Sequence, residues 1–354
     1  MNAALIPRPD TIPVAWGWFQ FLLLLTFPLH LLAMNAMVGG LLIGVSQHFQ
    51  GRPVNLRLAH RLAVLLPLAI AFAVNFGVAP LLFSQVLYGH LFYTSSILMA
   101  SFWLAVIPIL ITAYYGAYLY DFRFDDLGVG GRWLGLAVLL MLFVIGYLFS
   151  NNMHLMLLTE RFAGYFDRMD GSMLASTDPV LLPRYLHMML GAVAVGGLFV
   201  ALAGRFWADR DQDMASLAEA TGLKTFFWAT LANIAIGSWF LVSLPRQTML
   251  LFMGGDIGAS VCFVLSLLLT VGMLVTAWKR KFWLTFWHAV ATVVLMSFMR
   301  AWMRSDYLRE VFNLGQLEVV PEYSPMIFFF VVLVAGLVLI GWMLRKTAEA
   351  FARS

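Results

Sequence analysis

Apolar runs of about twenty residues, separated by short polar and charged stretches, recur along the whole chain. A helix rising about 1.5 Å per residue needs a run of that length to cross a hydrocarbon core of about 30 Å. The pattern predicts nine spans: Ala15 to Ser46, Arg61 to Val86, Thr94 to Tyr120, Trp133 to Ser150, Tyr185 to Trp207, Thr225 to Leu244, Ile257 to Trp278, Phe282 to Met303 and Met326 to Leu344. Lipid offers no partner to open backbone groups, so each span is expected to be helical. The first is over-long and is expected to tilt or to project from the bilayer. The fold class that follows is all-α: a polytopic transmembrane bundle forming a single domain over residues 1–354. No soluble domain, low-complexity tract or convincing internal repeat is visible.

Composition agrees with the pattern. Hydrophobic residues make up 62 % of the chain and charged residues 11 %, against about 25 % charged in soluble domains. There is too little polar side chain to face water all round. The net charge of +4 does not indicate nucleic acid, because Lys and Arg fall in short runs between apolar stretches. With the N-terminus outside, the inner segments hold Arg52, Arg57, Arg61, Arg123, Arg132, Arg205, Arg210, Lys224, Lys279, Arg280, Lys281, Arg345, Lys346 and Arg353. Only Arg8, Arg161, Arg168, Arg184, Arg246, Arg300, Arg304 and Arg309 lie outside, so the bias of basic residues predicts an N-out, C-in chain. Met1 to Pro13 lacks a basic n-region, and the first apolar stretch is expected to remain as a span. The only cysteine, Cys262, excludes an intrachain disulfide, a zinc ribbon, an iron–sulfur cluster and covalently attached c-type haem.

Histidines carry the candidate chemistry. His48 and His60 fall in a basic inner loop and are expected to be solvated there, without a role. His30 and His288 lie inside apolar spans, where an unpaired imidazole is costly. Metal ligation or a helix–helix hydrogen bond would satisfy either one. His30 is expected about 20 Å deep and His288 about 10 Å from the inner face, depths that agree. His90, His154 and His187 are expected together at the outer level. Arg184 stands one turn before His187, placed to pair with a haem propionate or to mark the helix start. Arg246 follows the sixth span, where it suits a propionate, a quinone carbonyl or plain snorkelling. The expectation is one outer haem on His187 with His154 or His90, and a deeper one on His30, with His288 as a candidate partner. The third, fourth, eighth and ninth spans contain no acid, which disfavours a proton-coupled transporter. The outer loops Asn151 to Arg184 and Arg304 to Tyr323 are long enough to dock a partner or to stand as ordinary solvated loops.

Three segments carry a family resemblance: Asp178-Pro-Val-Leu-Leu-Pro-Arg-Tyr-Leu-His187, the first span from Gln20-Phe21 through His30 to Gly39, and Ser150-Asn-Asn-Met153. In these the chain resembles the large haem-bearing subunit (subunit I) of cytochrome bd quinol oxidases, over roughly residues 14–245, with divergent helices over 256–345. The resemblance implies a nine-helix, N-out membrane protein of the bacterial inner (cytoplasmic) membrane, His187 on a low-spin haem b and His30 on a second haem. The family's oxygen-reducing features are missing. Ser101 to Val106 has no acid where the family has paired glutamates, and only Arg246 to Asp256 stands where the family has its quinol loop. The Arg-x-Met of the seventh helix and the Glu-x-Gly-Arg-Gln-Pro-Trp motif are also absent. What the resemblance implies is therefore a subunit of a quinol:acceptor oxidoreductase complex, carrying one to three haems b. It would exchange electrons between menaquinone or ubiquinone and an extracytoplasmic partner such as a multihaem cytochrome c. The alternatives are a divergent terminal quinol oxidase subunit and a haem-free, quinone-binding anchor of a larger redox complex.

Overall fold

The computed structural model describes residues 5–351, and among these the chain is helical with no sheet. Nine helices are long and apolar enough to cross a membrane: α1 (Trp16–Gln50), α2 (Pro53–Leu98), α3 (Ala100–Phe122), α4 (Val129–Leu155), α5 (Leu181–Trp207), α6 (Gln212–Ser243), α7 (Ile257–Trp278), α8 (Phe282–Leu308) and α9 (Tyr323–Phe351). This is a multi-pass helical bundle of membrane composition.

The helices outrun the apolar windows at most ends, α2 most of all. Its 46 residues start eight positions before the expected Arg61 and run on past Val86. The backbone leaves helical geometry at Tyr88 (φ −133°, ψ 23°), which bends the last turns away from the shaft. Local signals set several other ends. Gly51 closes α1 in the left-handed region (φ 69°), which glycine adopts without strain, and Pro53 opens α2 where no amide hydrogen is needed. Asp211 and Asp256 cap α6 and α7 by accepting from Met214 N (3.0 Å) and Ala259 N (2.8 Å).

An internal repeat, which the hydropathy pattern does not reveal, organises the bundle. Leu29-His30 and Val38-Gly39-Gly40-Leu41 of α1 recur as Leu186-His187 and Val195-Gly196-Gly197-Leu198 of α5. The shift of 157 positions also relates the ends of α1 and α5 (50 and 207) and the starts of α3 and α7 (100 and 257). So α5–α8 repeats α1–α4, and α9 stands outside both. The two halves meet at equivalent points. A Cβ on Gly39 would lie 2.6 Å from Gly196 Cα and 2.8 Å from Ala192 O, and one on Gly196 would meet Gly39 Cα and Asn35 O in return. Small residues thus let α1 and α5 touch backbone to backbone. Lipid-facing positions are free to drift, and they hide the few packed identities along the chain.

One end of the bundle carries the long connections. Segment 156–180 folds back over the α2–α3 junction through Ser101 N→Gly171 O (3.0 Å) and Met173 N→Leu98 O (3.0 Å). The N-terminal segment is tied to the stretch before α9 by Ile12 N→Glu318 O (2.9 Å) and Val320 N→Ile12 O (3.0 Å). This loop-rich end is the one that the basic-residue bias places outside. The helix α9 is largely exposed and touches the rest through Phe329 on Phe83 and Phe330 on Trp18.

Candidate functional site

The repeat places His30 and His187 in equivalent settings. Both α1 and α5 start at the loop-rich end and run in the same direction, and each histidine lies nine residues before the Gly39–Gly196 crossing. The two imidazoles are therefore at matching levels, rather than one outer and one deep. His30 Nδ1 lies 2.9 Å from Ala73 O of α2, and its ring rests on Gly77, where a Cβ would come within 2.9 Å of Cε1 and Nδ1. His187 rests on Gly237 of α6 in the same way (2.9 Å to Cε1, 3.0 Å to Nδ1), with Asn233 one turn earlier. Ala73 and Gly77 correspond to Asn233 and Gly237 at a shift of 160 positions. In both places a missing side chain on the neighbouring helix makes room for an imidazole.

The chemistry of the nitrogens follows. A carbonyl only accepts, so His30 Nδ1 carries the proton and Nε2 keeps its lone pair. That is the tautomer in which an imidazole binds a metal while its other nitrogen is held by a carbonyl. His187 Nδ1 and Asn233 Oδ1 are both buried without a hydrogen-bond partner among the described residues. His187 Nδ1 is turned onto the neighbouring helix as His30 Nδ1 is, so in both rings Nε2 is the atom left for a ligand. No group of three or more His, Cys, Asp or Glu that could hold a bare metal ion occurs among the described residues. Two lone imidazoles would suit a group that brings its own equatorial nitrogens, such as a porphyrin, better than a bare ion.

The other expected ligands are placed differently. His288 on α8 turns toward α7, with Nδ1 on Leu284 O of its own helix (2.5 Å) and its ring against Gly272. Arg300, which covers Phe27 of α1, lies twelve residues, or about 18 Å, further along α8. His288 therefore does not share a site with His30. His154 has both nitrogens occupied: Nε2 meets Asp178 Oδ1 at 2.8 Å and Nδ1 accepts from Arg184 Nη1 at 3.3 Å. Its ring is fully buried at the loop-rich end, held as a structural and electrostatic hub. His90 meets the edge of Phe312 at 4.6 Å in a recess of about 220 Å³ with Arg8 and Glu310, apart from both. Arg246 is exposed in the short helix Arg246–Leu250 and joins none of these groups. His48 and His60 are not a solvated loop. His48 is 5 % exposed, with Nδ1 3.0 Å from Tyr120 Oη, and Phe124 stacks between the two imidazoles at 4.6 Å from each.

A second feature was not anticipated. Arg300, Arg304 and Tyr307, expected in or beside an outer loop, lie on one face of α8 at i, i+4 and i+7. Arg300 sits over the Phe27 ring (4.4 Å) and Arg304 over Tyr88 at the bend of α2 (4.7 Å). The charges of Arg184, Arg300 and Arg304 act on one another, and that of Arg300 reaches His30. None of the three arginines pairs with a carboxylate among the described residues. The nearest acid, Asp178, is committed elsewhere: Oδ1 accepts from His154 and from Val180 N (3.0 Å), and Oδ2 from Arg161 (3.3 Å). Burial pushes the Asp178 carboxyl up, but the hydrogen bonds from His154 and Val180 and the charge of Arg161 outweigh it and hold the group below the usual carboxylate range. Placing one arginine at a bilayer centre costs about 2.5–3.5 kcal/mol on insertion scales, and less nearer the surface.

Fold and site together define a multi-pass helical protein with paired intramembrane imidazoles beneath a cationic cap. No protein-family model matches the chain. No curated protein matches it either.

Proposed function

We propose that the chain is a haem b-bearing membrane electron-transfer subunit, in which His30 and His187 hold the iron. One observation supports this reading: two imidazoles related by the internal repeat, each with Nδ1 turned onto a glycine of the neighbouring helix, and in His30 the Nδ1–H donating to Ala73 O so that Nε2 keeps its lone pair. When bound, haem b supplies a one-electron carrier whose potential depends on its ligands and burial. The protein's own part is to fix the imidazole tautomer through Ala73 O, to exclude water with the helices around both rings, and to set positive charge above them through Arg184, Arg300 and Arg304. Electrons would pass between the quinone pool and an extracytoplasmic redox partner, such as a multihaem cytochrome c, docking on the loop-rich end.

The test is a reduced-minus-oxidised optical spectrum and a pyridine haemochrome assay on the purified chain, with His30→Ala and His187→Ala. The expected result is a b-type signal that each substitution diminishes, with His154→Ala leaving haem content largely intact. A protein that purifies without a b-type signal would sink the reading and leave a haem-free anchor in its place.

A further inference from the structure

We infer that Arg184, Arg300 and Arg304 form a binding site for an oxyanion, a carboxylate or phosphate group, reached from the loop-rich end. Both nearby acids of the surrounding elements are engaged by other groups. Asp178 serves His154, Val180 and Arg161, while Asp306 takes Thr248 Oγ1 (2.7 Å) and Arg309 (3.3 Å). Glu160 is exposed. The protein therefore brings three guanidiniums together and supplies no counter-charge to them. Arg304 is only 5 % exposed, and among the described residues Arg300 and Arg304 donate to no protein acceptor. Their flat faces are covered by Phe27 and Tyr88, which leaves the N–H edges, the geometry that grips a two-oxygen anion side by side. Two further features favour a negative ligand here. Arg184 stands in the first turn of the 27-residue α5, at the positive end of its dipole. The hydroxyl of Tyr307, also within range of Arg184, is buried with no partner and can donate to the same anion.

Three sources present this chemistry: the carboxylates of a porphyrin, the phosphate of a phospholipid headgroup, and a free inorganic anion. The first rests on the haem reading; the other two do not. The experiment is thermal unfolding of the full chain in neutral-lipid nanodiscs at constant ionic strength, followed by Trp fluorescence while inorganic phosphate replaces chloride. Haem-free protein from porphyrin-starved cells should show a saturable rise in Tm of about 4 °C. The double variant Arg300→Gln, Arg304→Gln should lose that rise. Should it fail to fold, Arg300→Lys, which keeps the charge but not the fork, should weaken apparent phosphate affinity about tenfold. Arg168→Gln, an exposed loop position, should respond like the parent. If porphyrin carboxylates fill the site, haem-loaded protein will not respond to phosphate. If a phospholipid fills it, adding phosphatidylglycerol will abolish the response in both forms. If a free anion fills it, the response will persist in both. No saturable rise in the haem-free protein, or an equal rise in the arginine variants, overturns the inference. A chain that never binds haem yet responds to phosphate sinks only the functional proposal.

Discussion

Asp178 shows how much one side chain holds in place. Its two oxygens serve the imidazole of His154, the guanidinium of Arg161 and the amide of Val180 just before α5. Asp178→Asn keeps the shape but removes the charge, leaving Arg161 and the His154 N–H with a weaker acceptor. The expected loss is about 2–3 kcal/mol, seen as a lower Tm in detergent or nanodiscs. The sign of the pH effect follows from the depressed carboxyl. Its stabilisation is fully present above the unfolded value of about 3.9 and disappears as pH falls through the folded value. The parent should therefore lose stability below about pH 4 more steeply than Asp178→Asn. At this scale the sequence was only partly legible. His30 and His187 stand out as lone imidazoles in apolar runs. The spacing of Arg300, Arg304 and Tyr307 was equally visible, but a count of loop charges does not distinguish an interfacial arginine from one turned inward. Nothing in the sequence announces that His154 has both nitrogens engaged, because Asp178 and Arg184 reach it only through the fold.

Between residues and the molecule, helix contacts decide what is tolerated. Gly39 and Gly40 are adjacent in α1 but differ in surroundings. A Cβ at Gly39 meets the backbone of α5, whereas one at Gly40 has nothing within 4 Å. Gly39→Val is therefore expected to destabilise by about 3 kcal/mol or more, by forcing α1 and α5 apart. Gly40→Ala should be neutral or slightly stabilising, since alanine favours helix. Chemical or thermal unfolding of the two variants side by side checks the pair. All nine helices were readable from hydropathy, and α7 matches its expected ends, Ile257 and Trp278. The ends of α2 and the start of α6 were not, because apolar content reports the thickness of lipid, while the hydrogen-bond ladder continues into water until a cap or a glycine stops it. Gln212 to Lys224 is such a stretch: too polar for lipid, yet helical and capped by Asp211.

For the molecule as a whole, the basic-residue bias predicts that the loop-rich end faces outward and the C-terminal part of α9 inward. A single cysteine at Thr347, in a Cys262→Ser background, should react with a membrane-impermeant maleimide only in inverted vesicles; labelling of intact cells would reverse the orientation. The repeat of α1–α4 in α5–α8 was written in the chain at Leu-His and Val-Gly-Gly-Leu, but these six identities in helices of twenty-seven or more residues acquire meaning only when the structure shows the two glycines meeting. That meeting point has a mechanical side. Where two rods touch at bare backbone, little side-chain interlocking resists rocking, and the glycine crossing can serve as a pivot. Nine residues above it, the lever arm is about 13 Å, so a tilt of about 5° between the halves moves the two imidazoles by roughly 1 Å relative to each other. Whatever leans on the loop-rich end could thereby adjust the gap between two distant rings without touching either.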